Sequence, residues 1–569
     1  MPARALVLDA DSDAALETAQ ALGRKGVIVD VSAPGDCTSF RSRYVTGKFL
    51  QPDVRGGVSF HKWIHDLDDR ANYDLVVPST ERTLPALRRF DPEDSIRLRA
   101  VLPSNWALDV ALNKQRTWEL ASELGIPVPD SVLIESMEGL PPAPRYPIIL
   151  KTTRSVISAR DYDVMGGTAL VGYPQARLVF LRRHLPYGSI QQQLWVPGHS
   201  FGIELLYRHG KLLWHFAHER IHEGFLWGGA SSYLRSIAPP ENLFQAATQL
   251  LNRLHWHGVA MVEFRAQQQG TFHLMEINPR LCGSLALALD AGVDFPWGLL
   301  RIARAETIPP QPEYRTHYYT RNLAQDIRWQ LANLKANHSD PTLLTRPRAL
   351  TFLEIFRPLI GRESWDFFDW RDLTVTSAQL RSIVLHLTAA VRQRWNRRRL
   401  GRKIARHHRR QFHGSSDAHQ VKAILFLCSG NLCRSPFAAE LARQKLPGYR
   451  IDSAGLRANG RRGTPDEIQD VARLNGVELG THTSKPVTRE QLYDADIVLV
   501  MDLDNYQSVL SRWPEAAART TLLGLFASQE QLVISDPYGV STHEAAKIFA
   551  TMVEAVEGLS DWLSRRASV

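Results

Sequence analysis

Short apolar runs alternating with periodic helical stretches predict the outline of this chain. Residues 4–9 (RALVLD) read as a short buried strand, followed by a helical stretch, DAALETAQALGRKG, that closes on glycine. VIVDV is the next apolar run, and DLVVPST reads as a further strand ending in a turn. This β–α–β start predicts an α/β domain with a parallel sheet. A helix over about 107–124 should end at Gly125, where IPVPD stops it. YPIILK, SIQQQLW, FGIELLY and KLLWHFAHER read as strands, as do GVAMVEFR and TFHLMEIN, a pair separated by the polar turn AQQQG. After Asp290 the pattern turns helical and irregular, with clusters such as ESWDFFDW. Residues 376–410 read as one helix that becomes strongly basic, QFHGSSDAHQ as a flexible linker, and a new α/β unit begins at VKAILFLC.

At 569 residues the chain is too long for one core, so several domains are expected. The start MPARALVLDA lacks a basic stretch followed by a long apolar one, so no signal peptide is expected, and no apolar run is long enough for a spanning helix. Four cysteines, Cys37, Cys282, Cys428 and Cys433, are too few for a disulfide framework and suit a reducing cytoplasm. The net charge of +9 suggests nucleic acid until it is located. Ten Lys or Arg and no acid lie between Arg392 and Arg410, which leaves the rest of the chain at −1. No specific nucleic-acid partner is therefore expected. A first turn without GxGxxG gives dinucleotide binding no support.

The sharpest chemistry lies in FLCSGNLCRSPFAAE, residues 426–440. An apolar strand runs into Cys428, five residues follow, and Arg434, Ser435 and Pro436 open a helix. A loop wrapped from strand to helix N-terminus turns backbone N–H groups inward, where they hold phosphate and stabilise a thiolate. Cys428 is thus the candidate nucleophile. Arg434 can grip two phosphoryl oxygens in a fork that Lys could not reproduce. Ser435 can donate to the departing thiolate, and Pro436 suits the first helical turn. Expelling an alkoxide or phenoxide needs a general acid, which Asp536 on the turn ISDPYG can supply.

CSGNLCRSP resembles the signature of the low-molecular-weight protein-tyrosine phosphatases, and DPY is similar to their general-acid motif. IDSAG at 451–455, HTSKP at 482–486 and IVLVMD at 497–502 fall in that family's order. The resemblance covers about residues 420–569. It implies a doubly wound parallel sheet, a phosphocysteine at Cys428, Arg434 on phosphate and Asp536 as acid. It also implies phosphate contacts from the loop Ser429, Gly430, Asn431, Leu432 and Cys433, with Asn431 bracing the loop. Leu432 stands where, by the resemblance, tyrosine phosphatases carry an aliphatic residue and protein-arginine phosphatases carry Thr. A phosphotyrosine-type phosphomonoester, on a protein or a small molecule, is therefore favoured. Gly539 in place of an aromatic after DPY, and SAGLRANGRRG without Trp or Tyr, depart from the pattern. No cysteine follows Cys433, which speaks against the arsenate reductases of this fold. Cys433 itself has two readings, a disulfide partner for Cys428 under oxidation or a small buried residue.

In the N-terminal half, GVAMVEFR and LMEINPRLCGS place Glu263 on one strand, and Glu276 with Asn278 on its neighbour. Two carboxylates and an amide oxygen facing one cleft are hard ligands suited to Mg²⁺ with ATP phosphates. Arg280 can stabilise a transferring phosphoryl group or an acyl phosphate, and Lys114 and Lys151 are the cationic candidates for phosphate contacts. The order NK, LGIPVP, a strand ending in Lys, QQLWVPG, VEF and MEINPR resembles the ATP-grasp superfamily, especially its carboxylate–amine ligases. That resemblance spans about residues 1–310 and implies an α/β pre-grasp domain followed by two α+β grasp subdomains. It places adenine near Gln193, Leu194, Trp195 and Val196, and two Mg²⁺ ions, which Mn²⁺ could replace, on Glu263, Glu276 and Asn278. TTRSVISARD after Lys151 lacks the glycines of a phosphate flap, and Leu194 replaces a hinge acid. His199, His215, His218 and His222 read as surface or cleft residues scattered across strand faces. WGGASSYLRS (227–236) reads as a substrate-binding run or as a plain loop.

The expected division is an α/β pre-grasp domain at 1–105, an ATP-grasp domain at 106–310, a helical extension at 311–390, a basic linker at 391–420 and the phosphatase at 421–569. The expected protein is a bifunctional cytoplasmic enzyme. One half is an ATP- and Mg²⁺-dependent ligase that joins a small carboxylate to an amine through an acyl phosphate, and the other is a Cys-dependent phosphatase. The alternatives are an ATP-grasp kinase opposed by its own phosphatase, or one domain kept as a non-catalytic scaffold. The basic segment 392–410 leaves three roles open: a solvated helical linker, a helix on anionic membrane, or a dock for an acidic partner or nucleic acid.

Overall fold

A computed structural model describes residues 2–567 apart from 55–57, 143–144, 159–162, 173, 268–269, 341, 355, 367, 414–420, 460–461 and 541. The chain divides into two compact units, residues 1–172 with 180–384 and residues 173–179 with 385–569.

The first unit opens on a four-stranded parallel sheet, in which Arg4–Leu8 pairs with Ile28–Ala33 on one side and Leu75–Pro78 on the other, and Val45–Leu50 forms the far edge. Ala5, Leu6, Val7 and Leu8 are all fully buried, as expected of a central parallel strand covered on both faces. The helix Asp13–Arg24 starts where the Ser12 side chain accepts the Ala15 N–H. Between strand and helix lies Asp9, buried at φ +57°, whose carboxylate accepts hydrogen bonds from Thr80 and Thr83.

The single helix expected at 107–124 is two, Asn105–Ala111 and Lys114–Glu123. Asn113 interrupts the run because its side chain accepts the N–H groups of Gln115 and Arg116, capping the second helix. Lys114 is thereby the first residue of that helix. A four-stranded antiparallel sheet follows, with Ile190–Leu194 between Ser131–Ile134 and Ile148–Thr152, and Thr168–Val171 at the edge. A larger sheet of seven strands runs Phe272–Asn278, Gly258–Ala266, His199–Arg208, Lys211–Phe225, Gly228–Ile237, Tyr319–Arg321 and Glu363–Trp365.

The last two of these strands correct the expectation of a purely helical extension: ESWDFFDW begins a strand. What anchors it is a buried ionic network. Arg321 pairs with Asp326 and Glu363, and Glu363 also accepts the Tyr233 hydroxyl at 2.6 Å. His222 is part of it, not a surface or cleft residue: Nδ1 lies 2.6 Å from Asp326, Nε2 3.2 Å from Glu354, and the ring stacks on Trp329. Burial raises the pKa of Asp326 and Glu354, but His222 and, at Asp326, Arg321 outweigh it and hold both below the ordinary carboxylate value. Groups so depressed contribute stability above their unfolded pKa that is lost as pH falls through the folded values. The melting temperature of this unit should therefore fall as pH drops below about 4. Calorimetry of wild type and Asp326→Asn across that range should show a smaller acid loss in the variant.

The second unit carries a parallel sheet in the order Arg450–Gly455, Ala423–Cys428, Ile497–Val500, Thr520–Leu522. On one face the helices Arg434–Lys445 and Thr542–Ala567 pack, with Phe437 stacked on Phe549 at 4.0 Å. On the other face lies the end of the helix Leu373–His413, the basic segment. Ile404 is buried there, Gly401 admits Leu532 where a Cβ would come within 2.5 Å of it, and His408 reaches Thr521. Arg397 and Arg409 pair with Asp504 and Glu530. A structural role thus joins the three left open by the sequence: every third or fourth residue from Leu400 to His408 packs the phosphatase sheet while the arginines between stay outward. Most of the linker QFHGSSDAHQ, residues 414–420, lies outside the described residues. No described helix is long and apolar enough to cross a membrane.

Candidate functional site

In the second unit, the strand Ala423–Cys428 delivers Cys428, 2% exposed, to the sheet's C-terminal end, and the helix Arg434–Lys445 begins six residues later. The Cys428 Sγ accepts from the Asn431 N–H at 3.2 Å and the Ser435 hydroxyl at 3.1 Å. Asn431 adopts φ +53°, a left-handed conformation that asparagine tolerates better than most residues. Its amide nitrogen donates to Ser435 and Ser453, and its amide oxygen accepts the Lys485 N–H, each at 3.0 Å. The loop is therefore braced by its own following helix and by two segments that lie far away in sequence. The N–H groups of Gly430, Leu432 and Cys433 donate to no described residue, while the Leu432 carbonyl accepts the Thr464 hydroxyl.

Arg434 is 4% exposed in its side chain and donates to Asp502 at 2.8 Å, the Ile534 carbonyl at 3.0 Å and Asp536 at 2.9 Å. Asp536 is half-exposed on its turn, facing the arginine. Ser429 is held by Asn505 at 3.2 Å. Cys433 is buried, and burial together with the negative charges of Asp536 and Cys428 pushes its thiol well above the ordinary value. The structure thus gathers the expected loop, arginine and aspartate. It adds Asp502, His482 (2.8 Å from the Asn431 carbonyl) and Ser453, which the sequence showed only as parts of the strings IVLVMD, HTSKP and IDSAG.

Gly455, at the end of IDSAG, allows the loop to approach. A Cβ there would lie 2.8 Å from Ala458 Cβ and 3.0 Å from the Gly430 carbonyl carbon. Because backbone cannot give way cheaply, Gly455→Ala should cost about 1–3 kcal/mol and lower phosphatase turnover through a displaced loop. Thermal unfolding and aryl phosphate assays measure both.

Residues 423–568 match the family model described as low molecular weight phosphotyrosine protein phosphatase. The Escherichia coli (strain K12) low molecular weight protein-tyrosine-phosphatase Etp is 32% identical over 146 residues, which is 26% of this chain and 97% of that protein. The chain belongs to this phosphatase family. Another relative of the phosphatase domain, a protein-arginine-phosphatase of Geobacillus stearothermophilus, is 35% identical over 127 residues, covering 22% of this chain and 85% of that protein.

The first unit holds a cleft of ≈ 690 Å³. Glu263 and Glu276 sit directly opposite each other on adjacent antiparallel strands, so their side chains share a face. Lys114 Nζ lies 3.3 Å from Glu276 and 3.2 Å from the Ser155 hydroxyl. Asn278 donates to Glu276 at 3.2 Å, and Arg280 donates to Asn278 at 3.3 Å. Burial raises the pKa of Glu276, but Lys114 and Lys151 outweigh it and hold the carboxyl well below its usual range. Burial lowers the Lys151 pKa and raises that of Glu263.

The cleft brings together Lys114, Lys151, Gln193, Trp195, Val196, Glu263, Glu276, Asn278 and Arg280, whereas Leu194 is not among its lining residues. Leu194 follows Gln193 and precedes Trp195 in extended chain, so its side chain takes the opposite side. Sequence reasoning missed Arg220, whose guanidinium grips both oxygens of Glu263 at 2.8 and 2.5 Å. Its signal was present, since it stands two residues from His218 on the same strand face. Cleft-lining His218 lies 3.3 Å from Glu204, and Gly202 makes room for its ring, which a Cβ would meet at 2.2 Å. Residues 227–231 of WGGASSYLRS also line the cleft, with a strand from Gly228. After Lys151, Val156–Ser158 and Asp163–Met165 pair as antiparallel strands, and Gly166 packs against Thr152 and Arg154.

Residues 194–325 match the family model described as ATP-grasp in the biosynthetic pathway with Ter operon, and the first unit carries an ATP-grasp domain. The solved structure of N5-carboxyaminoimidazole synthetase from Staphylococcus aureus is 16% identical, covers 63% of this chain and 98% of its own, and has a TM-score of 0.46. Both units are therefore of enzyme families.

Proposed function

We propose that the chain is a bifunctional enzyme: an ATP-dependent carboxylate–amine ligase joined to a phosphatase for phosphotyrosine-type monoesters. The observation carrying the first half is the facing pair Glu263 and Glu276 with Lys114 and Lys151 at the same cleft. Buried polar atoms without a hydrogen-bond partner among the described residues, Gln193 Oε1, Trp195 Nε1, Arg265 Nη2 and Arg280 Nε, fit a polar ligand such as a nucleotide with its phosphates. Glu263, Glu276 and Asn278 would hold Mg²⁺, which neutralises phosphate charge when bound. Arg220 would share Glu263 with it.

In the ligase reading, a carboxylate oxygen of the acid substrate attacks the γ-phosphorus and ADP leaves. The amine nitrogen then attacks the acyl carbon and phosphate leaves. Lys114, Lys151 and Arg280 balance the charge that shifts between phosphate groups. Asp13, Glu223 and Asp366 line the same cleft and provide the anionic surroundings an amine substrate requires.

In the phosphatase, Cys428 sulfur attacks phosphorus, the P–O bond to the leaving group breaks, and Asp536 gives that oxygen its proton. Water then attacks phosphorus with Asp536 as base, and the S–P bond breaks. Leu432, partly buried against the domain core, supports an aryl phosphate over phosphoarginine. The basic segment belongs with the phosphatase in this division, while the pre-grasp and grasp regions fall at about 1–105 and 106–310.

Incubation with Mg²⁺-ATP, a panel of amino and hydroxy acids, and hydroxylamine tests the ligase directly. An acid-dependent hydroxamate formed with ADP is the expected result. ADP with a stable phosphorylated product and no hydroxamate would make the domain a kinase instead.

A further inference from the structure

His61 and His65 lie one helical turn apart on the helix Val58–Ala71, so their rings emerge on one face. The rings are 4.4 Å apart and both pack against Phe90. Asp94 faces them from the next segment: Oδ2 is 3.0 Å from His65 Nε2 and 3.8 Å from His61 Nε2. One ligand atom from each of the three residues lies within 4.8 Å of the others. Asp94 is also fixed in orientation, because its Oδ1 accepts the N–H groups of Ile96 and Arg97 and leaves Oδ2 to the imidazoles. Most telling is His65 Nε2, which is buried and close to the carboxylate yet aligned in no hydrogen bond with any described residue.

Three donors around a common centre with one unaligned lone pair match a cation better than an ion pair. Tetrahedral zinc with bonds of about 2.0–2.1 Å separates its ligand atoms by about 3.3 Å, between the two distances observed. Two imidazoles and a single carboxylate select a borderline transition ion over Mg²⁺ or Ca²⁺, which prefer oxygen cages. We propose that His61, His65 and Asp94 form a Zn²⁺ site with one coordination position left to water. It ties the helix Val58–Ala71 to the turn at Asp94 and is separate from the nucleotide cleft, whose lining includes none of the three. No step of either proposed reaction uses it.

Titration of the full chain with Co²⁺, in the presence of excess Mg²⁺-ATP, tests the site. The expected result is one equivalent with visible bands of tetrahedral cobalt and no thiolate charge-transfer band, displaced by Zn²⁺. His65→Ala should weaken binding at least about 10-fold. Asp94→Asn keeps the helix cap, since Asn caps as well as Asp, and should weaken binding to a similar degree. Should His65→Ala fail to fold, Asp94→Asn carries the test alone. Unchanged affinity in either folded variant, or thiolate bands in the wild type, would overturn the assignment.

Discussion

Replacement of Cys428 by serine should lower aryl phosphate hydrolysis by about four orders of magnitude or more, the scale on which loss of a nucleophile is felt. The reason lies in what surrounds the sulfur. The Asn431 N–H and the Ser435 hydroxyl both point at Sγ, an arrangement that stabilises a thiolate. A serine hydroxyl at that position would stay protonated, for among the described residues no basic side chain is hydrogen-bonded there to accept its proton. Orthovanadate binding should survive, because Arg434 and the loop N–H groups are untouched. Retained activity in Cys428→Ser would move the nucleophile elsewhere. Loss of vanadate binding would mean the loop had collapsed. Asp536→Ala should lower turnover of every substrate by about 10²–10⁴-fold, most for poor leaving groups such as alkyl phosphates, since both the acid and the base are lost.

Glu276→Gln should reduce ATP turnover by at least about 10²-fold while leaving aryl phosphate hydrolysis at the wild-type rate. Glu276 faces Glu263 across the strand pair and lies 3.3 Å from Lys114, so one lost charge disturbs both the proposed metal ligands and the lysine proposed to meet phosphate. Because Lys114 and Lys151 hold the Glu276 carboxyl low, it stays ionised through the acid range, and the pH dependence of the wild-type ligase should come from other groups. ADP release by a coupled assay, measured beside p-nitrophenyl phosphate hydrolysis on one preparation, separates the two sites. Equal loss of both activities would point to global unfolding.

The phosphatase site was legible because its chemistry is local. Cys428, Arg434 and Ser435 lie within one strand–loop–helix turn, and spacing alone orders them. Asp502 escaped notice because its part depends on the parallel packing of Ile497–Val500 beside Ala423–Cys428, a long-range register that no local pattern encodes. The same holds for Arg220 in the cleft, whose partner Glu263 is 43 residues away. Strands that alternate cleanly were readable, whereas Tyr319–Arg321 and Glu363–Trp365 were not. Each is three residues long and is held by buried ion pairs instead of an apolar alternation. The helix at 107–124 failed for another reason: Asn113 offers its side chain to the backbone, a competition that a hydrophobic pattern does not register.

One incubation can read both chemistries of this chain at once. Cys428→Ser protein is incubated with Mg²⁺-ATP and a metabolite extract, and the products are followed by mass spectrometry. A condensation product, lighter than its acid and amine together by one water, should accumulate with ADP and phosphate. A phosphorylated species that builds up without any condensation product, and vanishes when wild-type protein is added, would contradict the ligase and establish a kinase opposed by its own phosphatase.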